Sequence, residues 1–341
     1  ANLAGYLSFC VIGGLLASHL GPRRVIAAGL ALAGVSMIMT GLARSVWAAG
    51  LWRALAGVGS GASNVPVMGL LAAWFAPRRR GLATGVAVTG SSIGLILVGP
   101  LVPRIIAADP AGGWRTCWYI FGASTLALAL ASVLVLRNRP SDVGRRPIGA
   151  RPGEPVPAPR GGALRWGDVY ARPLVWLVGL VYVAFGFSYI VYLTFFSKCL
   201  IAEAGYTQAR AVNLFMLIGW TSLLCGLIWG SVSDWIGRKG ALAIVYLLHA
   251  AAYSLFPLWP TPAGFTLSAV LFGLSAWSIP GIMAATCGDL LGSHLAPAAL
   301  GFITLFFGIG QAAGPYVAGA MADAFESFWP ALWLSAGVSL A

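Results

Sequence analysis

Charge is what this 341-residue chain has least of. Only 9% of its residues are Asp, Glu, Lys or Arg, against roughly a quarter in soluble domains. So few charges cannot cover a water-facing surface, which excludes a soluble enzyme and a disordered protein. Acids are the scarcer sign, with 9 Asp+Glu against 21 Lys+Arg, and the net charge is +12. There are 3 His and 5 Cys. No CxxC pair, HxxxH or paired carboxylates occur, so neither a metal site, nor a cofactor site, nor a membrane-embedded catalytic cluster has support. The cysteines (Cys10, Cys117, Cys199, Cys225, Cys287) sit in or beside apolar runs and read as small packing residues. No basic region precedes the first apolar run, so no signal peptide is expected.

What is abundant is apolar: 59% of the chain, with a mean hydropathy of +0.86. A helix crosses a bilayer with roughly 20 apolar residues. Eleven segments qualify or nearly so: 1–20, 25–43, 46–74, 82–106, 114–136, 173–197, 211–233, 240–259, 263–291, 297–321 and a short 329–341. Gly and Pro within them do not veto helix in a membrane. Fifteen of the 21 basic residues fall on one set of loops: Arg23, Arg24, Arg78–Arg80, eight arginines in 137–172, Arg238 and Lys239. Arg44, Arg104, Arg115, Lys198 and Arg210 lie on the other side, and Arg53 lies within a span. The positive-inside rule makes the first set cytoplasmic. The basic excess is therefore a topology signal and not a nucleic-acid one. Residue 1 then starts outside in mid-helix, and the expectation is that a preceding span is missing and the last one is cut.

The long connection 137–172 holds six prolines and three acids (Asp142, Glu154, Asp168) and reads as a flexible cytoplasmic linker. Its arginines can meet anionic lipid heads, although positive-inside anchoring accounts for them. It divides the chain into a membrane bundle at 1–136 and another at 173–341. These repeat each other. The run Gly14-x3-Ser18-x2-Gly21-Pro22-Arg23-Arg24 aligns with Gly230-x3-Asp234-x2-Gly237-Arg238-Lys239 at an offset of 216. Gly85 and Gly94 align with Gly301 and Gly310 at the same offset, Gly99-Pro100 with Gly314-Pro315 at 215, and Asn64-x-Pro66 with Ser278-x-Pro280 at 214. Transporters are built from such repeats, with the substrate site at the midplane between them.

The run Gly230-x3-Asp234-x2-Gly237-Arg238-Lys239 resembles the cytoplasmic motif after helices 2 and 8 of the major facilitator superfamily. In the first half Ser18 and Pro22 replace the expected Asp and Arg. Arg53-x3-Gly57 resembles the family's helix-4 motif, and Gly301-x8-Gly310-x3-Gly314-Pro315 its Gly-Pro motif. The stretch from Trp277 to Pro315 also resembles a poorly characterised bacterial YbfB-type branch. The resemblance spans the chain. It implies an all-α polytopic protein of two six-helix bundles, of which helices 2 to 12 are visible, in a bacterial inner membrane and working as a monomer.

In that family helices 1, 4, 7 and 10 line the central cavity. On helix 4, Arg53, Gly57, Ser60 and Asn64 share one face. On helix 10, Ser275, Ser278, Ile282, Thr286 and Asp289 do so, and on helix 7 Tyr182, Phe185, Tyr189, Tyr192 and Phe196 form an aromatic stripe. Pro66 and Pro280 interrupt the two halves at matching positions, which is a pointer to the binding site. The candidate substrate contacts are Arg53, Ser60, Asn64, Tyr189, Tyr192, Trp277, Ser278 and Gln311. Arg53 could face a substrate anion, the missing helix 1 or a backbone group, or snorkel outward. Oxalate-type relatives carry basic residues on helices 8 and 11; helix 8 has none here and helix 11 offers Gln311, so a monoanion or neutral solute fits better than a dianion. His249 reads as a packing histidine.

Asp234 is expected to meet the start of helix 5 at Arg79, Arg80 and Gly81. A carboxylate there favours the helix N-terminus and the arginine. Asp234, Arg238, Lys239, Arg79 and Arg80 would form a latch that must break for inward opening, with Asp289 at an inner gate. The leading reading is a secondary transporter working by alternating access on a small monocarboxylate-like solute, coupled to protons, with the lipid bilayer as its other partner. The runner-up is an efflux antiporter of the same fold, and a third reading is a non-transporting membrane sensor.

Overall fold

The computed structural model describes residues 1–150 and 167–341; the remainder of the linker, with Glu154, and the side chains of Ser18, Asp168, Ser293 and His294 lie outside that description. The elements run α1 (Asn2–Leu20), α2 (Pro22–Leu42), α3 (Val46–Trp74), α4 (Pro77–Ala108), α5 (Gly113–Val135), α6 (Gly167–Tyr170), α7 (Pro173–Ala202), α8 (Gln208–Ser222), α9 (Cys225–Ile236), α10 (Arg238–Leu258), α11 (Pro262–Gly273), α12 (Ser278–Phe325) and α13 (Trp329–Leu340). Among the described residues there is no strand, only one isolated bridge between Phe75 and Ile148. Nine described segments are long and apolar enough to cross a membrane. With α1 and α13 they match the eleven expected segments.

Local chemistry sets the ends. Pro22, Pro77 and Pro262 open α2, α4 and α11, where a missing N–H costs nothing. Ser45, Thr207 and Thr261 cap α3, α8 and α11 with side-chain oxygens. The motif glycines Gly21 and Gly237 have φ of 85° and 89°. Both halves of the repeat thus turn at one equivalent residue that a Cβ would strain. Continuous α12 is two spans, parted at Gly292 with φ 73°. The path from α11 to α12 is a tight turn through Leu274–Trp277, and α8 passes to α9 through Leu223 and Leu224.

Packing divides the chain into two compact units. Unit 1 comprises Ala1–Arg80, Pro100–Trp176 and Ala284–Leu305. In it α3 packs on α1 and α2, and α2 on α5. Helix α1 also crosses the second span of α12: Gly14 lies under the Pro297 carbonyl and Gly301 under that of Cys10, whose thiol donates to the Gly301 oxygen at 3.4 Å. Unit 2 comprises Gly81–Gly99, Leu177–Met283 and Phe306–Ala341. Here α4 crosses α9 at two glycine pairs, Gly81 with Gly230 and Gly85 with Gly226, each so close that a Cβ would overlap the opposing carbonyl. Small residues at four-residue spacing let membrane helices approach this closely.

The two crossings are repeat equivalents. The offset of 216 carries Gly81 and Gly85 onto Pro297 and Gly301, and Gly226 and Gly230 onto Cys10 and Gly14. Each joins a first-half helix to a second-half helix, which is why each unit draws on both halves of the sequence.

Candidate transport site and latch

Asp234 ends α9 and is nearly buried, with 11% of its side chain exposed. Its two carboxylate oxygens accept the Gly81 and Leu82 amides, both at 3.0 Å. Arg238, one helical turn on, donates to it at 2.6 Å and to Ser233 at 2.7 Å. A carboxylate is favoured here by two N–H dipoles at the start of α4 and by a guanidinium. The contact is possible because Gly81, Gly85, Gly226 and Gly230 bring the two backbones together beside it. The expected contact with the start of α4 falls at Gly81 and Leu82, and the arginine bonded to the carboxylate is Arg238, where Arg79 or Arg80 was expected. Arg80 is buried, ion-paired with Asp289 at 3.1 Å and bonded to the Ala72 carbonyl at 3.2 Å. Arg79 lies against Gly149 of the linker, and Lys239 is exposed. Ser18, the repeat equivalent of Asp234, falls outside the described side chains.

In unit 2 an aromatic floor joins α7 to the second span of α12. Phe307 stacks on Tyr182, Phe185 and Tyr189 at 4.8, 5.7 and 5.6 Å. Gly186, Gly310 and Gly314 let the two helices come that close. One turn beyond Phe307, Gln311 donates to the Tyr189 hydroxyl. Trp277, in the tight turn before α12, meets Tyr189 edge-on at 6.4 Å. Its indole N–H is buried and has no partner among the described residues. A buried donor without an acceptor is rare in native interiors and calls for one. The stripe expected on helix 7 is thus present but mostly internal. Tyr192 is fully buried between Tyr253 and Phe272 and shares a hydrogen bond of 2.7 Å with Ser268. Ser278 is 2% exposed, and its hydroxyl donates to the Ser275 carbonyl at 2.6 Å. Both expected substrate contacts are corrected to packing residues, because their polar atoms are spent inside the bundle. His249 is buried between Phe185 and Phe272, and its Nε2 has no hydrogen-bond partner among the described residues.

In unit 1, Asn64 is exposed halfway along α3, with the Tyr6 hydroxyl at 3.5 Å, and Ser60 is half-buried one turn before it. Arg53 carries its guanidinium 4.4 Å over the ring of Trp118 on α5. That cation–π contact explains how an arginine is held in a span without a carboxylate. Arg53→Met should therefore cost about 0.5–2 kcal/mol of stability, the range for such contacts, and leave solute affinity unchanged. Thermal melting alongside a KM measurement checks this; a raised KM with unchanged melting would return the residue to the substrate site.

Phe307 and the Leu82 amide were missed from sequence. Phe307 was findable, since it lies four residues before Gln311 on the same face. The glycine pairs were also legible as small-x3-small patterns on two apolar runs. Which amides donate carried no signal, because any residue supplies an N–H.

A repeat of apolar helices, a buried carboxylate contact between two of them and an interior polar group fit a polytopic membrane transporter of small solutes. The chain matches the Major Facilitator Superfamily over residues 1–315 and belongs to that family. Among its relatives is a Cupriavidus necator protein named "Probable sulfoacetate transporter SauU", 27% identical over 95% of this chain and 77% of the relative. Another is the "Membrane sensor protein UhpC" of Salmonella typhimurium, 25% identical over 96% of this chain and 77% of that protein. The crystal structure of the human organic anion transporter MFSD10 superposes with a TM-score of 0.76 at 18% identity, over 99% of this chain and 80% of that one, which bears on the fold alone.

Proposed function

We propose that this transporter carries a small organic anion of the monocarboxylate class by alternating access, driven by a proton gradient across a bacterial inner membrane. The observation that carries the reading is the buried, unpartnered Trp277 N–H beside the Tyr189–Gln311 pair. Gln311 keeps a second N–H, and the Tyr189 hydroxyl, which accepts from Gln311, keeps its proton to donate. Three neutral donors around an aromatic floor suit one carboxylate on an apolar body and give a second charge no cation. Ser60 and Asn64 are proposed as substrate contacts, the two-bundle division at 1–136 and 173–341 as the mechanical plan, and a monomer as the working form. SauU supports an anionic solute by its name, though sulfoacetate carries two charges where this site offers donors for one, and UhpC keeps a sensing role in view.

Uptake into proteoliposomes tests this, with lactate-like and aromatic monocarboxylates, sulfoacetate and a neutral sugar as probes. Trp277→Phe and Gln311→Ala should each raise the KM for a monocarboxylate about tenfold or more, since a hydrogen bond to a charged group contributes about 1.5–3 kcal/mol. Preference for the sugar, or unchanged KM in both variants, sinks the anion reading. Binding of a probe without uptake would assign the chain to sensing.

A further inference from the structure

The start of the linker is not free. Residues 137–150 fold back on the ends of three membrane helices. Asn138 accepts the Arg23 amide at 2.9 Å at the start of α2. The Arg137 carbonyl takes the Trp74 indole N–H at 3.0 Å at the end of α3. A tight turn at Pro140–Val143 is closed by Asp142, which accepts the Arg139 amide at 3.0 Å. Ile148 then pairs with Phe75 in the parallel bridge, donating its amide to the Trp74 carbonyl at 2.8 Å and accepting that of Ala76 at 3.0 Å. Gly149, at φ 88°, receives the Arg78 Nε–H on its carbonyl and the Arg79 side chain on its flank.

This strap places two arginine pairs from distant sequence on one site. Arg78 and Arg79 open α4, and Arg145 and Arg146 precede the bridge; all four are exposed. Two neighbouring arginines are spent on local carbonyls: Arg23 on Val133, and Arg137 on Leu134 and Leu136. The side chains of Arg79, Arg145 and Arg146 have no hydrogen-bond or carboxylate partner among the described residues, and the one described acid nearby, Asp142, is engaged in its turn. Two large apolar side chains stand beside them, Val143 at 44% and Ile148 at 46% exposure. Exposed arginines interleaved with exposed aliphatic side chains at helix ends match the chemistry of the bilayer interface, with apolar groups entering the acyl boundary and cations meeting anionic heads.

We propose that the docked strap and the first turn of α4 form a binding site for anionic phospholipid headgroups of the cytoplasmic leaflet. The site rests on the orientation given by the basic loops and is independent of the solute carried. Positive-inside topology requires only that charges be on this side. It does not require that Arg145 and Arg146 be fastened beside Arg78 and Arg79 by a backbone bridge.

The test uses the full chain in nanodiscs of phosphatidylcholine with a spin-labelled phosphatidylglycerol or phosphatidylcholine probe. The intact protein should retain the anionic probe several-fold over the zwitterionic one, less so at high salt. Arg145→Gln/Arg146→Gln should remove most of that preference, at several-fold per arginine, while Arg24→Gln, which takes a charge from another cytoplasmic loop, should leave it. Ile148→Pro keeps every charge but deletes the amide that docks the strap, and should lower the preference as well. Folding of each variant is read from its melting temperature. Equal loss in Arg24→Gln and Arg145→Gln/Arg146→Gln, or full preference in a folded Ile148→Pro, would overturn the proposal. So would displacement of the probe by millimolar inorganic phosphate, which would mark a soluble-anion site instead.

Discussion

Asp234→Asn is expected to move the transporter's conformational balance by about ten- to a hundredfold. In the latched arrangement the carboxylate accepts two amides and one guanidinium. An asparagine keeps one oxygen for one of those N–H groups but turns an NH2 toward the other, and the charge opposite Arg238 is gone. Hydrogen bonds to a charged group are worth about 1.5–3 kcal/mol, and each 1.4 kcal/mol is a factor of ten between two states. The loss falls only on the state in which 81–82 and 234 touch, so the population shifts toward the one in which they part. A single cysteine reporter, labelled from each side of the membrane, reads the shift: labelling from the cytoplasmic side should rise and external labelling should fall. An unchanged pattern means the latch does not govern the balance. Arg238→Gln should show a smaller change in the same direction, because both amide bonds survive it.

The Asp234 contact was legible because its residue types are restricted. A lone Asp at the end of an apolar run, followed by Gly237, Arg238 and Lys239, has few other uses. The spans were legible for the same reason, since the bilayer forces about 20 apolar residues per crossing. Cavity contacts were harder. Periodicity places Tyr189 and Tyr192 on one stripe, yet three residues, less than one helical turn, separate a side chain bonded to Gln311 from one bonded to Ser268. A hydrophobic stripe does not record whether its neighbour is another helix or open space, and in a membrane protein both choices use aromatic residues. Arg53 shows the same limit. Its helix face was readable, but its partner Trp118 lies in another span and was one of 14 tryptophans.

Gly85→Val carries the other large expected effect, and it falls on folding. A Cβ at Gly85 would overlap the Gly226 carbonyl, and the reciprocal holds at Gly226. Neither contact can be relieved by a side-chain rotation, because both partners are backbone. The helices must separate, and separation also strains Gly81 against Gly230 and the amide bonds to Asp234 next to them. In a bilayer there is no hydrophobic gain to compensate, since lipid tails are as apolar as valine; close van der Waals approach is itself the source of the association. Overpacking costs about 1–3 kcal/mol and more where backbone must move, so the cost should be at least about 3 kcal/mol. The solubilised protein should melt well below the wild type or elute as aggregate. Gly90 and Gly94 lie on the same helix with nothing within 4 Å of a Cβ, and Gly90→Ala should be neutral or stabilising by up to about 1 kcal/mol, the helix-propensity gain. The unit 1 crossing explains why one glycine of each pair must stay. There Cys10 stands where Gly226 would be, and it is accommodated because Gly301 faces it. Gly301→Val should consequently fail as Gly85→Val does. If Gly85→Val melts with the wild type while Gly90→Ala does not, the glycine pairs are not what holds α4 against α9.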